Sequence, residues 1–189
     1  MNVPNRLTLL RVILAGVIIV VLLRPGLPAK LWAIGLFLAA VLTDWLDGYL
    51  ARRWQQTTPM GALWDPIADK VLVIGLLAVF AHLGIVPLWM VFVVVVREAA
   101  VTIARVVALR RRVVIAAAKE GKQKAAVQMF SLLLALILVA AREASASERL
   151  LHSLEIAILV GMTVTVVLTA QSGWLFFRRN WSTVAGRAS

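Results

Sequence analysis

Four aspartates are the residues of this chain whose type and spacing could do chemistry. Asp44 and Asp47 form one pair, Asp65 and Asp69 a second, and each pair sits beside long apolar runs. Asp44, Asp47, Gly48 and Ala51 fall at i, i+3, i+4 and i+7, which is one stripe of a helix. Asp65 and Asp69 fall at i and i+4. Between the pairs lies a polar stretch, Arg52 to Thr58, followed by Pro59 and Gly61. This pattern reads as two apolar helices joined by a tight polar hairpin centred on Gln56. In an antiparallel pair, equal distance from the turn means equal depth, so Asp47 is expected to face Asp65, and Asp44 to lie near Asp69.

Four carboxylates converging in an apolar hairpin repel one another and cannot all stay ionised without a cation. Oxygen-only ligands suit Mg²⁺ or Mn²⁺ rather than zinc. Four of them are enough for two ions, roughly 3.5–4 Å apart in a phosphoryl-transfer pair. Gly48 and Ala51 leave room for a ligand to approach the backbone, and Arg52 offers a fork to its phosphate. The plainer reading makes isolated acids proton relays and small residues packing devices. It would suit one Asp and one Gly better than this set.

The elements that must position these residues are helices in a membrane. The chain has 189 residues, is 62% hydrophobic and has a mean hydropathy of +0.93, an apolar excess foreign to a soluble globule of this size. It is an all-α integral membrane protein with one domain over 1–189. Six transmembrane helices are expected at about 7–23, 30–54, 62–83, 86–110, 119–141 and 150–177, with a mostly disordered basic tail at 178–189. Arg11 interrupts the first apolar run and five more runs follow, which argues against a cleaved signal peptide. There is no cysteine, which excludes disulfides and thiolate metal sites.

The net charge of +11 invites a nucleic-acid partner, but the charges lie between apolar runs and fit anionic lipid headgroups better. Sixteen of the twenty Lys and Arg fall at the amino end, the 2–3 and 4–5 connections and the carboxyl end. The other side has Arg24, Lys30, Arg142 and Arg149. The positive-inside rule then puts both termini and the Asp hairpin in the cytoplasm. Arg97 and Glu98 lie mid-span and must face protein or water. An interhelical ion pair is the preferred role for Glu98, while Arg97 divides evenly between that and the site. Lys70 is read as a packing or headgroup contact, and the Pro66 ring as tolerated in a first helical turn, unless Asp65 is the N-cap.

The run Asp44-x2-Asp47-Gly48-x2-Ala51-Arg52-x8-Gly61-x3-Asp65-x3-Asp69 resembles the signature of the CDP-alcohol phosphatidyltransferases, with every fixed position filled. The resemblance implies a six-helix membrane fold, usually a homodimer, with its site open to the cytoplasm, and a reaction in which an alcohol displaces CMP from a CDP-linked lipid or alcohol. It implies that Asp44, Asp47, Asp65 and Asp69 hold the metals and that Asp69 takes the acceptor's proton. Asp47, Gly48, Ala51, Arg52 and Gly61 would hold the nucleotide and CDP-lipid. Pro4-Asn5-x2-Thr8 resembles the family's element beside the nucleotide, which adds Asn5 and Thr8.

Gly61-Ala-Leu-Trp-Asp65-Pro66-x-Ala68-Asp69-Lys70, Arg97-Glu98, Gly121-Lys122-x-Lys124 and Gln128 resemble the phosphatidylglycerophosphate synthases within the family. That branch uses CDP-diacylglycerol and sn-glycerol 3-phosphate. A dianionic acceptor entering beside four carboxylates needs fixed cations, for which Arg105, Lys122 and Lys124 are the candidates. A cardiolipin synthase is the runner-up, a phosphatidylinositol-phosphate synthase the third reading. A cation-coupled transporter would usually show paired half-repeats and broken helices, and neither is visible. The last 60 residues are expected to contribute only hydrophobicity.

Overall fold

The structure, a computed structural model, describes residues 3–54, 61–110 and 119–185, with side chains over 12–43, 70–108 and 123–181. These residues form six helices and no strand: α1 (Val3–Leu23), α2 (Leu27–Trp54), α3 (Gly61–His82), α4 (Leu88–Arg110), α5 (Lys119–Glu143) and α6 (Glu148–Ala185).

Three short turns on one side of the bundle show why the chain reverses where it does. In the α3–α4 turn, Ile85 N–H donates to Phe80 O at 2.9 Å and Gly84 N–H to Ala81 O at 3.1 Å. That is a Schellman cap, and it needs the left-handed φ of 69° that Gly84 supplies. The α5–α6 turn repeats the cap with Ala146 N–H on Ala141 O and Ser145 N–H on Arg142 O. Here Ser145, not a glycine, carries the positive φ of 52°. The α1–α2 turn passes through Gly26 at φ 96°.

Laterally the helices form a closed ring in the order α2, α1, α3, α4, α6, α5, with α3 also touching α5 across the middle. Leu76, Leu77, Phe80, Leu132, Leu136, Ile18 and Phe37 fill the centre. Gly75 lets α1 close on α3, since a Cβ there would stand 2.6 Å from Ile19 Cδ1. Large apolar side chains such as Trp32, Leu88, Phe92 and Trp174 point outward. Such a surface suits lipid rather than water. Among the described residues, α5 and α6 carry apolar spans of 21 and 34 residues, Gln123–Glu143 and Glu148–Trp181, long enough to cross a bilayer core of ~30 Å.

Three expectations change. Among the described residues α2 and α3 make no direct contact; α1 and α5 each touch both helices. Among the described residues these two helices are thus not direct neighbours in the ring, while the hairpin between them and the facing of Asp47 with Asp65 lie outside the described residues. Secondly, α6 continues to Ala185 and takes in Arg178 and Arg179. Losing hydropathy ends a membrane span, but only a breaker ends a helix, and no Gly or Pro follows Phe177 before Gly186. Asn180 Nδ2 donates to Phe176 O at 2.8 Å within this extension. Thirdly, α1 and α2 start earlier than expected, with Pro4 and Pro28 in their first turns, where a missing N–H costs nothing.

Candidate active site

Asp44 and Asp47 lie one turn apart in α2, and Asp65 and Asp69 one turn apart in α3. Because α3 starts at Gly61, Asp65 is inside the helix and is not its N-cap. Pro66 falls in the second turn, not the first, and cannot donate to the Ala62 carbonyl. The side chains of these four aspartates, and those of Asn5, Thr8, Gly48, Ala51, Arg52, Gly61 and Lys122, lie outside the described residues. Among the described residues no cluster of metal-ligating side chains occurs.

Directly after Asp69, the described structure shows a built polar site. Glu98 of α4 is its centre and is 9% exposed. Its Oε2 lies 3.0 Å from Lys70 Nζ of α3. Its Oε1 accepts from Arg97 Nη1 at 2.8 Å and from Lys124 Nζ of α5. Lys70 Nζ also donates to Glu98 O at 3.1 Å and to Thr102 Oγ1. Arg97 Nη2 reaches α6, donating to Ser172 Oγ at 2.9 Å. Gly173 makes room for this crossing, since a Cβ there would stand 3.2 Å from Arg97 Cγ. One carboxylate thus joins α3, α4 and α5, and through Arg97 also α6.

Arg105 stands further along α4. Its guanidinium carbon lies 5.8 Å from the centre of the Phe176 ring, a cation–π contact. No carboxylate among the described residues pairs with it. Among the described residues, Lys70, Arg97 and Lys124 bring three positive charges to the carboxylate of Glu98, and Arg105 stands two turns further along α4. Several donors remain unused: Arg97 Nε, Arg105 Nε and Gln128 Nε2 are buried with no partner. Buried donors without acceptors are costly unless a ligand or water supplies them. Among the described residues these donors find no acceptor, and an anion is one group that would satisfy them.

Below it runs a polar seam between α5 and α6. Lys124, Gln128 and Ser131 on α5, and Thr165, Thr169 and Ser172 on α6, are all buried. Gly161 fixes the register, since a Cβ on it would run into the Ser131 hydroxyl.

The sequence profile of the CDP-alcohol phosphatidyltransferases matches residues 1–176. This chain belongs to that family. It is 33% identical over 198 residues to the CDP-diacylglycerol–glycerol-3-phosphate 3-phosphatidyltransferase of Bacillus subtilis (strain 168), covering 95% of each chain. It is 49% identical over 82 residues to the same-named protein of Salmonella choleraesuis (strain SC-B67), covering 43% of this chain and 45% of the relative. A third relative of that name, from Pseudomonas fluorescens, is 49% identical over 73 residues, or 37% of its length. The last two matches span less than half of those relatives.

For a CDP-alcohol phosphatidyltransferase, the described site corrects one expectation and extends two others. Helix α6 supplies more than hydrophobicity: Ser172 holds Arg97, and Phe176 holds Arg105. The 4-and-3 spacing of Thr165, Thr169 and Ser172 was the available signal, a polar stripe at helical period in an apolar run. Glu98 forms the interhelical ion contacts expected of it. Lys70 packs as expected, but onto Glu98 and Thr102 rather than a headgroup. Lys124 is 5% exposed and engaged with Glu98. It sits in the second turn of α5, past the free amides that would themselves favour an anion.

Proposed function

We propose that this chain transfers the phosphatidyl group of CDP-diacylglycerol to sn-glycerol 3-phosphate, giving phosphatidylglycerophosphate and CMP. Family membership and the names of the relatives support the donor and the reaction class. The observation that carries the acceptor is the surplus of cations around Glu98. A dianionic acceptor must approach carboxylates and a pyrophosphate, and Arg105, Lys122 and Lys124 would meet its phosphate on the side where α4 and α5 connect.

Asp44, Asp47, Asp65 and Asp69 would hold Mg²⁺ or Mn²⁺, as two ions. Four carboxylates, in pairs one turn apart on two helices, are the hard oxygen donors these cations prefer. The metals would neutralise the charge that builds on the departing CMP phosphate. Asn5, Thr8, Gly48, Ala51, Arg52 and Gly61 would shape the nucleotide end. Asp69 takes the proton from the acceptor hydroxyl as its oxygen bonds to the lipid-linked phosphorus. The bond to the bridging oxygen breaks, and CMP leaves with that oxygen. General-base help of this kind contributes ~10²–10⁴-fold.

The same reading places six spans in the cell's inner membrane, with both termini and the site in the cytoplasm, in a homodimer. The sixteen-to-four charge asymmetry supports the sidedness. A single cysteine at Gln56 that reacts with an impermeant reagent only from outside would overturn it, and crosslinking in the membrane that gives only monomer would remove the dimer. The acceptor is tested with purified protein, labelled CDP-diacylglycerol and an acceptor panel. Phosphatidylglycerophosphate should form with glycerol 3-phosphate alone. Cardiolipin from phosphatidylglycerol, with glycerol 3-phosphate ignored, would sink this acceptor, and a protein that releases no CMP would leave the transporter reading.

A further inference from the structure

We propose that Glu98 is a positioning residue for acceptor binding: its carboxylate holds Lys124 and Arg97 together where the acceptor's phosphate is met. The inference rests on the acceptor reading above and adds a residue that reading does not need.

The two oxygens of Glu98 do different work. Oε2 faces Lys70, whose ammonium has three partners: the carboxylate itself, Glu98 O and Thr102 Oγ1. Lys70 is thus engaged on the α3 side of the carboxylate. It anchors one side of the carboxylate to α3. Oε1 accepts from both Arg97 and Lys124. Two cations sharing one oxygen stand a few ångströms apart and repel strongly where water is largely excluded. Without the negative charge between them, nothing described here would hold a 5% exposed lysine beside a guanidinium.

The carboxylate does not exhaust those two cations. Among the described residues Lys124 has Glu98 as its one polar partner, and Arg97 Nε has none. The far edge of Arg97 is fixed by Ser172. The outcome is two cations set side by side, each with donors to spare, on a carboxylate clamped from α3. A phosphate meets a pair already assembled, and ordering it in advance raises affinity. Glu98 touches no reacting atom in this scheme and acts through Lys124 and Arg97.

The test is steady-state kinetics of the purified full-length protein in lipid nanodiscs, with CDP-diacylglycerol and glycerol 3-phosphate each varied. Glu98→Gln keeps the shape and removes the charge. It should raise KM for glycerol 3-phosphate about tenfold, with KM for CDP-diacylglycerol and kcat within about threefold. Glu98→Asp should recover part of that loss. In a Lys124→Met background, Glu98→Gln should add less than about threefold, because the two act as one unit. Equal effects on both substrates, or full multiplication of the Glu98 and Lys124 effects, would overturn the proposal and leave Glu98 a structural ion pair. If Glu98→Gln does not fold, Ser172→Ala decides: releasing the far edge of Arg97 should raise the same KM about threefold, and an unchanged KM overturns the idea. Wild-type protein that ignores glycerol 3-phosphate defeats the acceptor reading and this inference together. Wild-type protein that uses it, with KM unmoved in Glu98→Gln, defeats this inference alone.

Discussion

Lys30 Nζ donates to the main-chain carbonyl of Leu22 at 2.6 Å, reaching back over the turn between α1 and α2. It donates equally closely to Arg24 O and lies 3.6 Å from Glu143 Oε1 of α5. A charge expected at the membrane surface is 6% exposed. It caps the carbonyls at the end of α1, where cations are favoured, and ties three helices at the end remote from the aspartates.

Lys30→Met keeps the stem and deletes the charge. Two carbonyls lose a charged donor, so the protein should lose about 1–3 kcal/mol of stability. Thermal denaturation in detergent should show a lower midpoint, while turnover at low temperature stays near wild type. An unchanged midpoint would mean that water replaces the ammonium without cost.

Gly161 and Ser131 make a second prediction possible. A Cβ at Gly161 collides with the Ser131 hydroxyl and would lie 3.4 Å from Ser131 Cβ. Gly161→Ala should therefore cost about 1–3 kcal/mol by prising α5 from α6. Ser131→Ala removes the colliding oxygen and leaves an ordinary contact. The double variant should recover most of the loss, and a double variant no better than Gly161→Ala would show that the register is wrong.

Ser145 occupies the same cap position in α5 that Gly84 occupies in α3, with φ 52°. A left-handed residue with a Cβ is strained, and glycine is not. Ser145→Gly should raise stability by about 0.5–1 kcal/mol, net of the greater freedom of the unfolded chain. A midpoint that falls in the same thermal assay would show that the serine side chain does something the strain argument omits.

Local features of this protein were legible, and lateral ones were not. The six helical runs, and the one-turn spacing within each Asp pair, depend on neighbours within a few residues. The helix ring does not. Whether α2 packs on α3 or on α1 depends on close approaches such as Gly75 against Ile19, which no spacing reveals. The burial of Lys30 was hidden for the same reason, since its partners come from α1 and α5. Arg97-Glu98 could be marked as an ion pair from its depth, but not its links to Lys70, Lys124 and Ser172 on three other helices. The end of α6 was missed because hydropathy and helicity were taken as one property, and past Phe177 they separate.

The last prediction concerns the aspartates. Asp47→Asn, Asp65→Asn and Asp69→Asn should each abolish nearly all turnover and leave the thermal midpoint within a few degrees of wild type. An amide keeps the volume but loses the ligand charge that hard cations need. Removing divalent metal from wild-type protein with a chelator should have the same effect, reversed by Mg²⁺ or Mn²⁺. The three variants should then part company. If Asp69 is the base, its variant loses ~10²–10⁴-fold in rate yet still binds CDP-diacylglycerol better than the other two. Binding of Mn²⁺, read by the loss of its free electron-resonance signal, should fall most in Asp47→Asn and Asp65→Asn. Substantial turnover by Asp69→Asn at the normal pH optimum would falsify its role as base. Full activity in chelator would remove the metals, and repulsion among the four carboxylates would then need another remedy.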